Sequence, residues 1–215
     1  NTPSSARLNV HQHYDLGNDF YRLWLDPSMS YSSALYRAVD DGELESAQRA
    51  KYRRLLRRLH AEPGQSVLEI GCGWGGFAEI AVREGLQVTG LTLSPAQLEW
   101  ARKRVPEADL RLQDYRDTSE RFDHIVSIEM FEAVGERWWP TYFRTIARAL
   151  KPGGRAVIQS ITIRDDLFAE YRKGTDFIQQ YVFPGGMLPS RSAFRAAAAK
   201  QGLTVHGEYA FGKDY

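Results

Sequence analysis

The chain has 215 residues, of which 43% are hydrophobic and 26% charged, and its formal net charge is +1. This size and apolar content predict one globular domain with a substantial core, and the balanced charge gives no indication of a nucleic-acid partner. The single cysteine, Cys72, excludes a disulfide framework within these residues and is typical of a reducing compartment, so we expect a cytoplasmic protein.

Residues 1–42 are rich in aromatic residues and interrupted by Gly17, Pro27 and several serines. This composition predicts an irregular segment that covers a binding site. From Glu43 to His60 apolar residues recur at helical spacing, and six basic residues are expected on the opposite face of that helix. These residues are Arg49, Lys51, Arg53, Arg54, Arg57 and Arg58.

Strands and helices alternate from residue 66 onward. The pattern predicts strands at 66–70, 87–91, 109–113, 122–128 and 154–163, helices at 75–84, 95–104 and 138–150, and, after an irregular insert, a helix at 190–201 and a strand at 203–210. The Pro152-Gly153-Gly154 sequence is expected to connect a helix to the next strand. The alternation is typical of an α/β, three-layer sandwich with a mostly parallel sheet.

The segment Val67–Gly76 reads as a buried strand, a glycine-rich turn and the start of a helix. Glycine is favoured where a turn needs positive φ angles and where the main chain approaches a ligand. Unpaired N–H groups at the helix start suit an anionic cofactor. The segment therefore predicts a nucleoside cofactor, although NAD proteins and methyltransferases share its glycine pattern.

Two features favour S-adenosylmethionine (SAM) over a dinucleotide. A dinucleotide site usually has a carboxylate about 20 residues after the glycines, whereas the second strand ends here in Gly90–Pro95 without an acid. Asp114 instead closes the third strand, where it is placed to accept a hydrogen bond from an adenine amino group. With Phe122-Asp123 and Leu150–Gly154, this layout indicates a Rossmann-like class I SAM-dependent methyltransferase; a plain nucleotide-binding domain is the alternative.

Several separate motifs resemble those of the cyclopropane fatty acid synthases and mycolic acid cyclopropane synthases. They are His13–Tyr21, Leu25–Ser32, Glu69–Gly75, Thr92–Gln97, Met130–Gly135 and Phe177–Gly186. The resemblance covers nearly the whole chain and implies a methyltransferase domain at 43–215 behind a capping segment at 1–42. Because the family continues past the position of Tyr215, we expect the C-terminal end of the domain to be incomplete.

The resemblance also implies which residues contact SAM. The expected contacts are Tyr31 and Ser32 at the methionine end, Gly71 and Gly73 beneath it, Thr92, Leu93 and Gln97 at the ribose, and Gln113 and Asp114 at the adenine. For Tyr31, a core aromatic residue is the alternative.

Members of this family add the SAM methyl carbon to a cis double bond of a phospholipid acyl chain, through a carbocation that then loses a proton. The resemblance implies a bound bicarbonate as the base, held by a cysteine, a glutamate, a histidine, an isoleucine backbone and a tyrosine. The corresponding residues are Ser33, Glu132, Gln159, Ile161 and Tyr215. Serine and glutamine still donate hydrogen bonds to an anion, but neither provides the charge of an imidazolium.

A second carboxylate, Glu129, stands three residues before Glu132, where cyclopropane synthases commonly have glycine. If a helical turn begins at Glu129, both carboxylates share one face, and like charges in close contact raise one pKa. We therefore predict either that Glu129 is the base or that a different proton is lost, which would give a methyl- or methylene-branched chain. A solvated carboxylate, or one that caps a helix, is the alternative.

The sequence thus predicts a SAM-dependent C-methyltransferase acting on unsaturated phospholipid acyl chains, peripheral to the membrane. A methyltransferase of small soluble acceptors and a SAM-binding protein without transfer activity are the alternatives. The basic face of helix 43–60 would attract anionic lipid, although an ordinary amphipathic helix with solvated arginines is favoured. Tyr181 and Phe183 are expected to line an acyl tunnel; no metal site is indicated, and a homodimer is one option for the assembly.

Overall fold

A computed structural model describes residues 17–36, 43–182 and 185–214. Its centre is a five-stranded parallel sheet with the strand order β3-β2-β1-β4-β5. The strands are β1 (Ser66–Ile70), β2 (Gln87–Thr92), β3 (Asp109–Leu112), β4 (Phe122–Ile128) and β5 (Leu150–Gln159). Because all five run the same way, their carboxyl ends meet at one edge of the sheet, which is where α/β proteins bind ligands. We call this edge the carboxyl edge.

Helices cover both faces of the sheet. They are α1 (Gly17–Arg22), α2 (Leu44–Leu59), α3 (Gly76–Arg83), α4 (Pro95–Arg104), α5 (Trp139–Ala149), α6 (Asp165–Tyr171) and α7 (Arg191–Ala199). One apolar cluster joins α2 and α3 to β1 and β2, and another joins α5 and α7 to β4. No helix in the described ranges is both long and apolar enough to span a bilayer.

Most predicted elements agree with the structure to within two residues, but β5 does not. It runs over Leu150–Gln159 instead of 154–163, so Pro152-Gly153-Gly154 lies inside the strand. The ladder between β4 and β5 shifts register between Phe122 and His124. A proline, which has no N–H to donate, is tolerated at such an irregularity.

The strand predicted at 203–210 is wrong, because these residues join no ladder. A strand needs a neighbouring backbone for its N–H and C=O groups, and no described strand pairs with β5 on its other side. The capping segment also differs from the prediction, since its residues 17–22 form helix α1. Beyond α1 the described part of the capping segment is irregular, as predicted.

The predicted basic face of α2 is wrong for one residue. Lys51 is only 1% exposed and therefore does not face solvent with the arginines. Among the other basic residues, Arg49 pairs with Glu45 at 2.7 Å, and Arg54 lies 3.6 Å from the centre of the Tyr209 ring. Only part of the predicted basic face is thus free to meet a partner.

Candidate active site

The glycine-rich turn lies at the carboxyl edge directly after β1. Gly71, Gly73 and Gly75 have φ angles of +83°, +52° and +82°, a region in which residues with a Cβ are strained. A Cβ on Gly71 would lie 3.1 Å from Cγ of Met130, whereas one on Gly73 would meet no atom within 4 Å. The turn thus packs against the loop after β4 on one side and leaves open space over Gly73.

The residues expected at the ribose gather at the ends of β2 and β3. The Thr92 hydroxyl donates to Oε1 of Gln97 at 2.9 Å, and both side chains are buried. Leu93 is half-buried beside them, and the Gln113 N–H donates to the Thr92 carbonyl at 3.1 Å. The Ser94 hydroxyl accepts from the Gln97 N–H at 3.3 Å and so caps α4.

Asp114 is buried and carries an ion pair with Arg116. Oδ1 accepts from the backbone N–H and Nε of Arg116 at 3.0 Å and 2.8 Å, and Oδ2 accepts from Nη2 at 2.6 Å. A carboxylate has about four acceptor positions. One position therefore remains on Oδ2 for an adenine amino group.

Residues 26–36, which we call the strap, cross the carboxyl edge beside the glycine-rich turn. The ring of Tyr31 packs against Tyr21 and Trp24 at centroid distances of 5.5 Å and 5.2 Å, in a cluster that includes Trp74. Burial raises the pKa of Tyr31, and the nearby Glu129 carboxylate raises it further. Tyr31 is therefore an aromatic packing residue that also lies within electrostatic reach of Glu129.

Glu129 connects the strap to β5. Its Oε1 accepts from the Ser33 N–H at 3.0 Å and from Nε2 of Gln159 at 2.8 Å. The Glu129 backbone has φ +47°, a region that glycine occupies at little cost and other residues rarely adopt. A glutamate thus holds a glycine-like conformation here, and such strain is concentrated at functional sites.

Glu132 forms the second carboxylate of the site. Its Oε1 accepts a short hydrogen bond from the Ile161 N–H, while Oε2 is buried without a partner among the described residues. Burial raises the pKa of Glu132 to about 7, and Glu129 adds to this rise. The helical turn begins at Phe131, so the two carboxylates do not share the helical face that their spacing predicted.

The structure brings together four of the five residues predicted for a bicarbonate site, and Tyr215 lies outside the described residues. The N–H groups of Ser33 and Ile161 and the Gln159 amide already donate to Glu129 and Glu132. The Ser33 hydroxyl donates to the Ala34 carbonyl at 3.2 Å. A further anion would meet two carboxylates and few free donors, so the described residues do not fit bicarbonate.

Sequence reasoning missed Gln48 and Lys51 of α2, which hold the strap from below. Gln48 Nε2 donates to the Ser32 carbonyl at 2.8 Å, and Lys51 Nζ donates to the Ser32 hydroxyl at 2.5 Å. A signal was present in the sequence, because Lys51 lies four residues from both Ala47 and Leu55 and so falls within the apolar stripe of the helix.

Known proteins resemble this chain in sequence and in fold. The family model described as mycolic acid cyclopropane synthetase matches residues 2–215. Tuberculostearic acid methyltransferase UfaA1 of Mycobacterium tuberculosis is 41% identical over 200 residues, 87% of this chain and 47% of that protein. Cyclopropane-fatty-acyl-phospholipid synthase of Escherichia coli K12 is 40% identical over 208 residues, 95% of this chain and 52% of that protein. The chain thus spans about half the length of these curated relatives.

Among solved structures, mycolic acid cyclopropane synthase CmaA1 in complex with SAH and CTAB matches with a TM-score of 0.84 at 34% identity, over 94% of this chain and 76% of that one. Coclaurine N-methyltransferase bound to SAH shares the fold with a TM-score of 0.70 at 24% identity, over 86% of this chain and 56% of that one. The predicted class I SAM-dependent methyltransferase fold is confirmed.

Proposed function

The chain belongs to the mycolic acid cyclopropane synthetase family, and on that premise we propose that it is a SAM-dependent C-methyltransferase of unsaturated phospholipid acyl chains. The observation that carries the proposal is the position of Glu129 and Glu132 beside the glycine-rich turn. Met130, which lies between them, stands against Gly71. A proton acceptor is therefore placed next to the expected position of the cofactor.

The residues of the carboxyl edge fit SAM. Ser32 and Tyr31 would hold its methionine end over Gly71 and Gly73, and the open space lies over Gly73, where a Cβ would meet no atom within 4 Å. The ribose would meet Thr92, Leu93 and Gln97, and the adenine would meet Gln113 and the remaining acceptor position of Asp114. Bound SAM supplies a methyl group on a positively charged sulfur. The methyl carbon accepts the two π electrons of an alkene as the sulfur–carbon bond breaks.

Glu129 is the base in this proposal. Methyl transfer leaves a carbocation on the acyl chain, and a proton must leave before a neutral product forms. The Ser33 N–H and the Gln159 amide hold Glu129 Oε1, which orients the carboxylate to take that proton. The C–H bonding electrons of the new methyl group then close a cyclopropane ring, and Glu129 becomes neutral.

A branched product is the second candidate, and the same residue favours it. Glu129 is part of the polypeptide, so its carboxylate reaches different protons of the acyl cation than a bound ion in the same region would. If a hydride shift first moves the cation to the methylated carbon, removal of a methyl proton gives a methylene branch on the open acyl chain. A relative at 41% identity is named as a tuberculostearic acid methyltransferase, so close relatives include proteins named for different products.

Product analysis tests the proposal. The protein is incubated with SAM and vesicles of a cis-unsaturated phospholipid, and the released fatty acids are examined by mass spectrometry and proton NMR. An added CH2 with cyclopropyl protons supports the first product, and vinylic protons support the second. A parallel reaction in bicarbonate-depleted buffer should run at an unchanged rate. Failure to modify lipid while a small soluble acceptor is methylated, or while SAM binds without transfer, would overturn the proposal.

We also propose that the carboxyl edge faces the lipid surface. Exposed apolar side chains lie directly after α1 and in the insert between α6 and α7, both of which flank the site; they are Leu23 (82% exposed), Trp24 (48%), Phe177 (68%), Ile178 (51%) and Tyr181 (66%). Tyr181 therefore lies at the surface of this edge, while Phe183 lies outside the described residues.

The basic end of α2 is a poorer candidate for the lipid surface. The helix begins beside the strap, where the Leu35 N–H donates to the Ala47 carbonyl. Arg57 lies ten residues further along, which is about 15 Å of helix and toward the opposite edge of the sheet. In vesicle co-sedimentation we expect Leu23→Asp to weaken binding several-fold and Arg57→Gln to leave it nearly unchanged. If Arg57→Gln weakened vesicle binding more than Leu23→Asp, the lipid-facing surface would instead be the basic face of α2.

A further inference from the structure

Lys51 is a buried cation in the middle of α2. Lysine is almost never fully buried unless its ammonium is paired, because removing the charge from water is costly. Lys51 is 1% exposed, and its Nζ donates to the Ser32 hydroxyl and to Oε1 of Gln48, each at 2.5 Å. Nζ also lies 4.6 Å from the centre of the Tyr52 ring. Its hydrogen-bond partners are neutral, so the burial calls for a reason other than an ion pair.

Lys51 and Gln48 hold one residue of the strap, Ser32, from two sides. The lysine binds the Ser32 hydroxyl, and Gln48 Nε2 binds the Ser32 carbonyl at 2.8 Å. The next residue, Ser33, donates its N–H to Glu129 Oε1 at 3.0 Å. Hydrogen bonds on two consecutive strap residues therefore link Lys51 to the proposed base.

We propose that Lys51 is a positioning residue of the cofactor site, whose ammonium group holds Ser32 in place to bind the methionine carboxylate of SAM. The inference rests on the proposed function only in that the site binds SAM. Lys51 acts through Ser32, and its positive charge stands behind the position at which that carboxylate would arrive.

The charge of Lys51 is adjustable near neutral pH. Burial lowers the pKa of Lys51 to about 7, while the carboxylates of Glu129, Asp26 and Glu69 oppose this fall. These carboxylates come from the loop after β4, the strap and β1. Burial raises the pKa of Glu69 and of Tyr52, and the positive charge of Arg104 in α4 opposes both rises. An arriving carboxylate favours the protonated lysine, so SAM affinity should fall as the pH rises through this range.

The test is SAM binding by isothermal titration calorimetry, without lipid. We expect Lys51→Met to weaken SAM binding by about ten-fold or more, the effect of losing a hydrogen bond to a charged group. Arg53→Met, which removes an exposed charge from the same helix, should change the dissociation constant by less than about two-fold. In a Ser32→Ala background, Lys51→Met should have little further effect, because the partner through which it acts is gone.

A second measurement does not depend on the folding of the Lys51 variant. The dissociation constant of SAM is followed from about pH 6 to about pH 8.5, on either side of the pKa of Lys51 at about 7. The wild-type protein should bind more weakly at the higher pH, and Ser32→Ala should lose most of this dependence. The difference between the two proteins cancels the titration of SAM itself.

Three results would contradict the inference: equal affinities for Lys51→Met and Arg53→Met, losses from Lys51→Met and Ser32→Ala that multiply, or a pH dependence that survives Ser32→Ala. The inference and the proposed function fail separately. Tight, pH-dependent SAM binding with no lipid product would overturn the proposed function alone, whereas lipid methylation with a Lys51-independent affinity would overturn this inference alone. A wild-type protein that does not bind SAM would overturn both.

Discussion

The two halves of the carboxyl edge are built differently. The half formed by β1, β2 and β3 consists of turns that directly follow their strands, and its predicted cofactor residues interact with near neighbours, as Thr92 does with Gln97. The half around Glu129 is assembled from distant segments, since Ser33 lies 96 residues and Gln159 lies 30 residues from Glu129 along the chain. The predicted cofactor contacts of the first half are local in sequence, whereas the proposed proton acceptor depends on tertiary packing.

This difference separates two kinds of constraint. In the first half, backbone conformation matters most, because positive φ angles at Gly71, Gly73 and Gly75 shape the turn. In the second half, side-chain hydrogen bonds matter most, because they hold two carboxylates in a partly buried region. Substitutions in the two halves should therefore affect the protein in different ways. Measurements of activity, of the pH dependence of stability and of thermal unfolding distinguish these effects.

The largest expected effect is that of Glu129→Gln. Removing a positioned general base typically lowers a rate by about 10²- to 10⁴-fold, so the turnover number should fall by that order while SAM affinity stays within about three-fold. Steady-state kinetics and calorimetry measure the two quantities. Glu136→Gln is the control, because that carboxylate forms a surface ion pair with Arg172 at 2.8 Å. A fully active Glu129→Gln protein with an unaltered product would remove Glu129 from the mechanism.

The buried carboxyl of Glu132 should make stability depend on pH. Burial raises its folded-state pKa to about 7, above the ordinary glutamate value of 4.5, so the folded protein binds more protons than the unfolded chain between these values. The resulting stabilisation is complete below about pH 4.5 and is lost as the pH rises through about 7, by up to roughly 3 kcal/mol. Denaturant unfolding at several pH values measures it.

The informative quantity for this prediction is the difference between the wild-type protein and Glu132→Gln. The pKa of Lys51 is lowered to about 7, so that group contributes the opposite slope above this pH. Subtracting the two stability curves removes the contribution of Lys51. Parallel curves for the two proteins would show that Glu132 keeps an ordinary pKa in the folded state.

The smallest effect is expected from Gly90→Ala in β2. This substitution tests packing in the half formed by β1, β2 and β3 without removing a hydrogen bond. A Cβ there would lie 2.6 Å from Cδ2 of Leu110 and 3.0 Å from Cβ of Cys72. Such overpacking costs about 1–3 kcal/mol, visible as a lower midpoint of thermal unfolding. Gly207→Ala, which meets no atom within 4 Å, is the matched control, and equal midpoints for the two variants would contradict the prediction.

The sequence by itself determined the parallel sheet and the position of the glycine-rich turn, because hydrophobic periodicity and glycine placement are local properties. The family resemblance predicted the residues that would contact SAM, and the sequence also drew attention to Glu129. It failed at β5 and at 203–210, because strand limits depend on which neighbouring backbone is available for pairing.

Only the tertiary structure decided what surrounds Glu129 and Lys51. The sequence marked Ser33 and Gln159 as substitutions in an anion site, but it did not show that they donate to Glu129 itself. It also placed Lys51 with the solvated arginines, whereas the strap covers it and Ser32 provides a hydrogen-bond acceptor. A side chain's charge and partners depend on burial and on residues distant in the chain, and sequence patterns do not encode these directly.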